Sequence, residues 1–286
     1  MITKFGKRFL TDFVAGNVSF ANKDLAIGIA NSIEYPLSTS NSRLGFEFYR
    51  LPIKFGGIDI DTSVSPAKYT AIFSATLPPN MSGKINELGI YPSNRTSKNN
   101  YDSRFISDFE LPYDWSDTPN LDQTNYRVGD SSLTFISNGA SSKEYKSTIS
   151  GFDLVGYSNL DSLSLSYKVN DSNLNSIKVR FYSTSSDYFE FIFDDNSQGY
   201  HIQSINLSEM TTFGSPDKAN INTLGITVVP SESQSSVSLD GLRINDEDTF
   251  DPSYGLIARS ILDSEIEKVF GREMFIEFKL DVAFGD

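Results

Sequence analysis

Leu163-Ser164-Leu165-Ser166-Tyr167-Lys168-Val169, the polar break Asn170-Asp171-Ser172-Asn173, and Ile177-Lys178-Val179-Arg180-Phe181-Tyr182 decide the fold. On either side of the break apolar and polar residues alternate, the period-two pattern of a strand with one buried face. The rhythm returns at Ser132 to Ile136, Tyr188 to Phe193, Tyr200 to Ile205, Leu224 to Val229 and Val237 to Ile244, with Asp194-Asp195-Asn196-Ser197 as another turn cluster. About seven strands spaced by turn residues predict an antiparallel β-sandwich of jelly-roll type.

Outward from this region the strands are more scattered. Leu25 to Ile29, Glu47 to Ile53, Tyr69 to Ala75 and Gly83 to Tyr91 read as strands, and Pro52 marks an edge or a bend. Residues 92 to 104 read as an exposed polar loop. Residues 112 to 125, with Pro112, Trp115 and Pro119, read as a linker. Leu256 to Leu262 is open between strand and helix, with strand favoured. Met274, Ile276, Phe278, Leu280, Val282 and Phe284 share one face of a long strand, with Glu277, Lys279 and Asp281 opposite. The one good helix is N-terminal. Ile2, Phe5, Phe9, Leu10, Phe13 and Val14 recur at helical spacing before Gly16-Asn17, and Lys4, Lys7 and Arg8 face water. Such a helix covers a sheet; lying on a membrane surface is the alternative.

Composition agrees with strands: Tyr 14 and Phe 22 suit a pleated, half-buried surface. A length of 286 residues suggests about two domains. Charge divides the chain: residues 1–122 carry 12 basic and 13 acidic residues, 123–252 carry 8 and 17, and 253–286 carry 4 and 7. The acidity is concentrated in the middle block, which has its own strand rhythm. The fold class is therefore mainly β. An N-terminal helix and a discontinuous β-domain, residues 1–122 and 253–286, hold an inserted antiparallel β-sandwich, jelly-roll-like, at 123–252.

The chemical vocabulary is short. Cys is 0, which excludes disulfides, thiolate metal sites and thiol nucleophiles, and His is 1, which excludes sites needing two imidazoles. The chain has no G-x-S-x-G elbow, phosphate loop or dinucleotide fingerprint. A net charge of −13 opposes phosphate-driven nucleic-acid binding. No apolar run spans a bilayer, and the charged N-terminus leads into no signal-type apolar core. His201, between Tyr200 and Ile202, is expected on the solvent side of its strand. A carboxylate pair about 5–9 Å apart would suffice for glycoside hydrolysis, but 37 acidic residues fit solvated surface groups better. Asp246-Glu247-Asp248, Asp251 and Asp194-Asp195 offer hard oxygens for calcium without EF-hand spacing, so no metal or cofactor is assigned. Tyr113, Trp115 and Tyr126 form a candidate stacking platform for a glycan. The alternative for Trp115 is a plug between two domains.

Three sets of residues carry a resemblance. They are Ile2-Thr3-Lys4-Phe5-Gly6 with Val14-Ala15-Gly16-Asn17 and Leu25-Ala26-Ile27-Gly28; Phe73-Ser74-Ala75-Thr76-Leu77-Pro78 with Ile85 to Tyr91; and Leu256 to Leu262 with Ile266, Lys268, Gly271 and Phe275 to Phe278. In this order they resemble tail, baseplate and fibre structural proteins of tailed bacteriophages, over roughly residues 1 to 92 and 254 to 284. The middle block, with Val237 to Ile244 as a late strand, looks like the sandwiches of carbohydrate-binding modules and viral appendages. The resemblance implies a non-enzymatic virion component, made in the host cytoplasm. It would dock on other virion proteins in several copies or as a homo-oligomer, presenting the sandwich to neighbours or the host surface. A host-glycan-binding adhesin is the alternative, and a glycan-cleaving tail enzyme is a third class.

Overall fold

The computed structural model describes residues 1–17, 23–30, 33–65, 68–92, 105–245 and 255–282. The chain forms two compact units, Met1–Thr96 with Thr249–Asp286, and Ser97–Asp248. No helix among the described residues is long and apolar enough to cross a membrane.

In the first unit helix α1 (Lys4–Val14) is capped by Thr3, whose Oγ1 accepts from the Gly6 N–H at 2.9 Å. Phe9 and Gly6 are its buried residues, Lys4, Lys7 and Arg8 are exposed as the spacing predicts, and Phe13 and Val14 are exposed against it. Gly6 is required by close approach: a Cβ there would stand 2.0 Å from the Ile257 carbonyl oxygen. The strands are β1 (Lys23–Ile29), β2 (Phe46–Pro52), β3 (Lys54–Asp61), β4 (Lys68–Leu77) and β5 (Gly83–Pro92). From the C-terminal part come β17 (Ala258–Lys268) and β18 (Met274–Val282). They make two antiparallel sheets, ordered β17-β5-β1-β2 and β18-β4-β3. Pro52 ends the edge strand β2, where a missing N–H is tolerated. Of the 256–262 segment, Ala258 to Leu262 are strand, the opening of β17, and Phe278 and Leu280 of β18 are buried with Glu277 and Lys279 exposed, as their alternation predicts.

Arg259 is fully buried and is held from several sides. It donates to the Glu87 carboxylate, to the Tyr35 and Pro36 carbonyls at 3.0 Å each, and to Asn41 Oδ1 at 2.8 Å. Burial pushes the Glu87 carboxyl up to about 7, against the pull of Arg259.

The second unit comprises β6 (Phe105–Ser107), β7 (Asn120–Asp122), β8 (Ser132–Ile136), β9 (Lys143–Phe152), β10 (Ser162–Val169) and β11 (Leu174–Tyr182). It continues with β12 (Tyr188–Phe193), β13 (Gly199–Asn206), β14 (Thr211–Phe213), β15 (Ile221–Pro230) and β16 (Ser236–Asn245). One sheet runs β13-β10-β16-β8-β7, with β6 also on β16; the other runs β14-β12-β11-β15-β9. Among the eight long strands, β8 lies beside β16, β9 beside β15, β10 beside β13 and β11 beside β12. First beside last, second beside seventh, third beside sixth and fourth beside fifth is the jelly-roll order. Leu163, Leu165, Tyr167, Val179, Phe181, Phe191, Ile226 and Leu239 are among the residues of its shared core.

The division between units does not fall at 122/123, where composition puts it. Residues 105–122 belong to the second unit, because β6 pairs with β16 and β7 with β8. Nor is 112–125 a linker: Pro112–Asp114 is a 3-10 turn and Trp115 enters the core. Of the loop expected at 92–104, Pro92 ends β5 and the rest lies outside the described residues, as do the boundary at 252/253 and the strand end at Phe284.

Candidate functional site

The solvent face of the β14-β12-β11-β15-β9 sheet follows from alternation. Along β11 the residues Ile177, Val179 and Phe181 point into the core, so Lys178, Arg180 and Tyr182 point out. Register extends each outward residue into a row. Phe213, Tyr188, Tyr182, Thr223 and Thr148 form one, and Thr211, Glu190, Arg180, Gly225 and Lys146 the next. Ile192, Lys178, Thr227 and Glu144 form the third.

The first row begins with three aromatic rings in contact, Phe213 exposed, Tyr188 half-buried and Tyr182 buried behind them. Phe213 stacks on Tyr188 at 4.7 Å between centroids, and Tyr188 meets Tyr182 at 4.8 Å. Lys146 Nζ stands 4.0 Å over the Tyr182 ring, and the Arg180 guanidinium 5.0 Å from that of Tyr188. Polar groups beside the rings are already ordered by one another. Arg180 donates to Glu190 at 2.7 Å and to Glu144 at 3.0 Å, Tyr182 donates to the same Glu144 oxygen at 2.6 Å, and Lys178 reaches Glu190 at 3.3 Å.

Burial works against the Arg180 charge, but the bonds to Glu190 and Glu144 outweigh it and hold its pKa above the ordinary arginine value. Burial, with Glu144 accepting its proton, likewise holds the Tyr182 hydroxyl above the ordinary phenol, so it remains a donor. Gly225 makes the arrangement possible. A Cβ there would lie 2.8 Å from the Tyr182 ring and 2.9 Å from Glu144 Oε1, closing the space where the two side chains meet across β15.

Glu144 also lines an open groove of about 690 Å³ beside β9, bounded by Asp117, Asn120, Ser142 and Lys143. Aromatic faces edged by fixed charged donors and acceptors are suited to a sugar chain: ring C–H groups lie on the aromatics while hydroxyls exchange hydrogen bonds with the polar groups. Two carboxylates leave one of the three cations uncompensated locally, but the 8 basic and 17 acidic residues of 123–252 surround the face with negative charge, which favours a neutral chain over a polyanion.

The sequence-predicted platform is not assembled. Trp115 is 6% exposed, stacked on Phe109 at 5.7 Å and edge-on to Phe135 at 5.0 Å, so it is neither a sugar platform nor a plug between domains. Tyr113 is 88% exposed. Tyr126 is half-buried in the loop whose Arg127 and Val128 N–H groups bond Asp240 of β16, in the opposite sheet.

His201 is a further correction. It faces inward, buried against Tyr167, with Nε2 2.6 Å from the Ser197 carbonyl oxygen and Nδ1 3.1 Å from Asp195 Oδ2. Its register partner is Tyr167, a core residue, and this pairing sets its side. Of the acidic residues considered for calcium, Asp195 bonds His201 and Asp194 accepts from Gln203 at 2.8 Å. Asp246, Glu247, Asp248 and Asp251 lie outside the described residues.

No protein-family model matches the chain, and no curated protein matches it. Solved structures similar to it include a family 11 carbohydrate-binding module from Clostridium thermocellum in complex with a mixed-linked tetrasaccharide. The two are 12% identical, with 49% of this chain and 94% of that one covered and a TM-score of 0.38. A family 28 carbohydrate-binding module specific for non-crystalline cellulose is 12% identical, with 54% and 96% covered and a TM-score of 0.33. The enzymatically active domain of bacteriophage CBA120 tailspike protein 4 is 12% identical, with 55% and 22% covered and a TM-score of 0.30. Similarity at this level fixes neither a ligand nor an activity.

Proposed function

We propose that the sandwich unit binds a neutral glycan chain on the outer face of the β14-β12-β11-β15-β9 sheet, acting by recognition without bond cleavage. The observation that carries this reading is the accessible stack of Phe213 on Tyr188, backed by the buried Tyr182 ring and set beside Arg180 and Glu144, which are already bonded to each other. Stacking supplies affinity, and hydroxyl contacts to side chains that are already ordered supply orientation at little further entropy cost. The test is titration of the full chain against a panel of soluble polysaccharides, with calorimetric and reducing-end readouts. One or more should bind without release of reducing ends, and Tyr188→Ala should weaken binding about 10-fold or more, a loss of at least about 1.4 kcal/mol. Tyr113→Ala should bind as wild type. Undiminished binding by Tyr188→Ala would move the site off this face, and released reducing ends would make the protein an enzyme.

That the module is displayed on a tailed-phage virion is part of the proposal, and rests on the resemblance of residues 1 to 92 and 254 to 284. Immunogold labelling of intact particles tests it.

A further inference from the structure

In the first unit β3 is an edge strand of the β18-β4-β3 sheet, and its outer edge has no partner strand among the described residues. The sheet has one apolar face. On β18 and β4 that face is largely covered, with Phe278, Leu280 and Phe73 buried and, among its described large apolar residues, only Tyr69, opposite Ile60, exposed. On β3 it is bare: Phe55, Ile58 and Ile60 are 58%, 62% and 52% exposed. A long exposed apolar edge is a template for strand pairing that proteins ordinarily blunt or cover.

We infer that β3 is the seam of a homodimer, pairing antiparallel with β3 of a second copy about a two-fold axis. The sequence of the strand argues for a second copy as the occupant. Register against β4 passes from Phe55–Phe73 to Gly57–Ile72, so Gly56 is bulged out and seven paired positions remain. Phe55, Ile58 and Ile60 then share one face, and Lys54, Gly57, Asp59 and Asp61 the other. A two-fold normal to the sheet keeps each face on its own side, so only pairings between residues of the same face are allowed.

Centred on Ile58, the pairing sets Ile58 against its own copy, Phe55 against Ile60, Gly57 against Asp59 and Lys54 against Asp61. Apolar residues meet apolar ones, and each end closes on a pair of opposite charges. Shifting the centre to Asp59 places two carboxylates face to face, and shifting it to Gly57 leaves Ile60 and Asp61 without partners. Cross-strand pairs of this kind stabilise a sheet, and like charges directly opposite destabilise it.

The full chain tests this directly, because Cys is 0 and an introduced cysteine has no competitor. Sedimentation velocity from low to high micromolar should show a monomer–dimer equilibrium. Lys54→Asp and Asp61→Lys should each weaken the dimer about ten-fold, and the double variant should restore it. Ile58→Cys should form a disulfide-linked dimer on mild oxidation, whereas Asp59→Cys, opposite Gly57, should not. All four positions are on an exposed strand, and an unchanged circular dichroism spectrum and melting midpoint verify each variant's fold. A chain monomeric throughout, a double variant as weak as the singles, or equal cross-linking at 58 and 59 overturns the inference.

Discussion

Asp240 shows what a single side chain does to the stability profile. Its Oδ2 accepts from the Arg127 and Val128 N–H groups at 2.8 and 3.1 Å, while Oδ1 is buried without a hydrogen-bond partner. Burial pushes the carboxyl well above the usual range, against the pull of those two N–H groups. Above about pH 4 the unfolded chain releases a proton that the folded protein keeps. Protonation then favours folding, and stability is lost as pH rises from there toward the folded value. The slope from this group approaches about 1.4 kcal/mol per pH unit. In urea titrations Asp240→Asn should therefore gain on wild type as pH rises above about 4; parallel profiles would show an ordinary carboxyl. Trp115→Ala should cost about 3–5 kcal/mol through the cavity it leaves, while Tyr113→Ala should stay within about 0.5 kcal/mol. Equal effects would contradict the burial of one and the exposure of the other.

At the scale of elements, β18 and α1 make contrasting demands. Phe278→Ala should cost about 3–5 kcal/mol and Glu277→Ala less than about 0.5 kcal/mol, since the two faces of β18 differ only in what covers them. In α1, Thr3 caps the first turn and also donates to the Leu256 carbonyl, so Thr3→Ala should cost about 1–2 kcal/mol. Gly6→Ala should cost about 1–3 kcal/mol by driving a methyl into the Ile257 carbonyl. Calorimetric melting of the four variants checks the order. Elements whose apolar residues keep one period, such as β10, β11 and β18, were legible in the sequence because periodicity is itself the burial signal. β3 was not, since Gly56-Gly57 and the bulge interrupt its alternation. Nor was β9, where Tyr145 and Ser147 are the only fully buried positions. Parity misled at His201, because Tyr200 reads as an inward aromatic until the register with β10 turns it out. The aromatic row was beyond sequence reading. Tyr182, Tyr188 and Phe213 belong to three strands, and only cross-strand pairing brings them together.

For the whole molecule, the boundaries of the units decide which deletions fold. Replacing residues 97–248 with a short Gly/Ser linker should leave a soluble remnant that unfolds cooperatively, since the strands of both its sheets are retained. Replacing 123–252 should fail, because it leaves β6 and β7 without β16 and β8. Denaturant unfolding of the two deletion variants separates the outcomes, and a folded 123–252 deletion would return the division to where charge alone places it.

The first unit takes strands from both sides of the insertion, and that arrangement sets a schedule for synthesis. β4 must wait for β18, and Thr3, β5 and Glu87 must wait for the segment around Ile257 to Arg259, all of which follow the sandwich in the chain. Translation at roughly 5–20 residues per second delivers β18 some 10–40 seconds after β4. The sandwich, whose strands are contiguous in sequence, can close during that interval. Meanwhile Phe73 and its neighbours on β4 are exposed to solvent. A nascent-chain holdase should therefore engage this protein early, between β4 and β18, and slowed translation of the insertion should lengthen the time spent on the chaperone and lower the soluble yield.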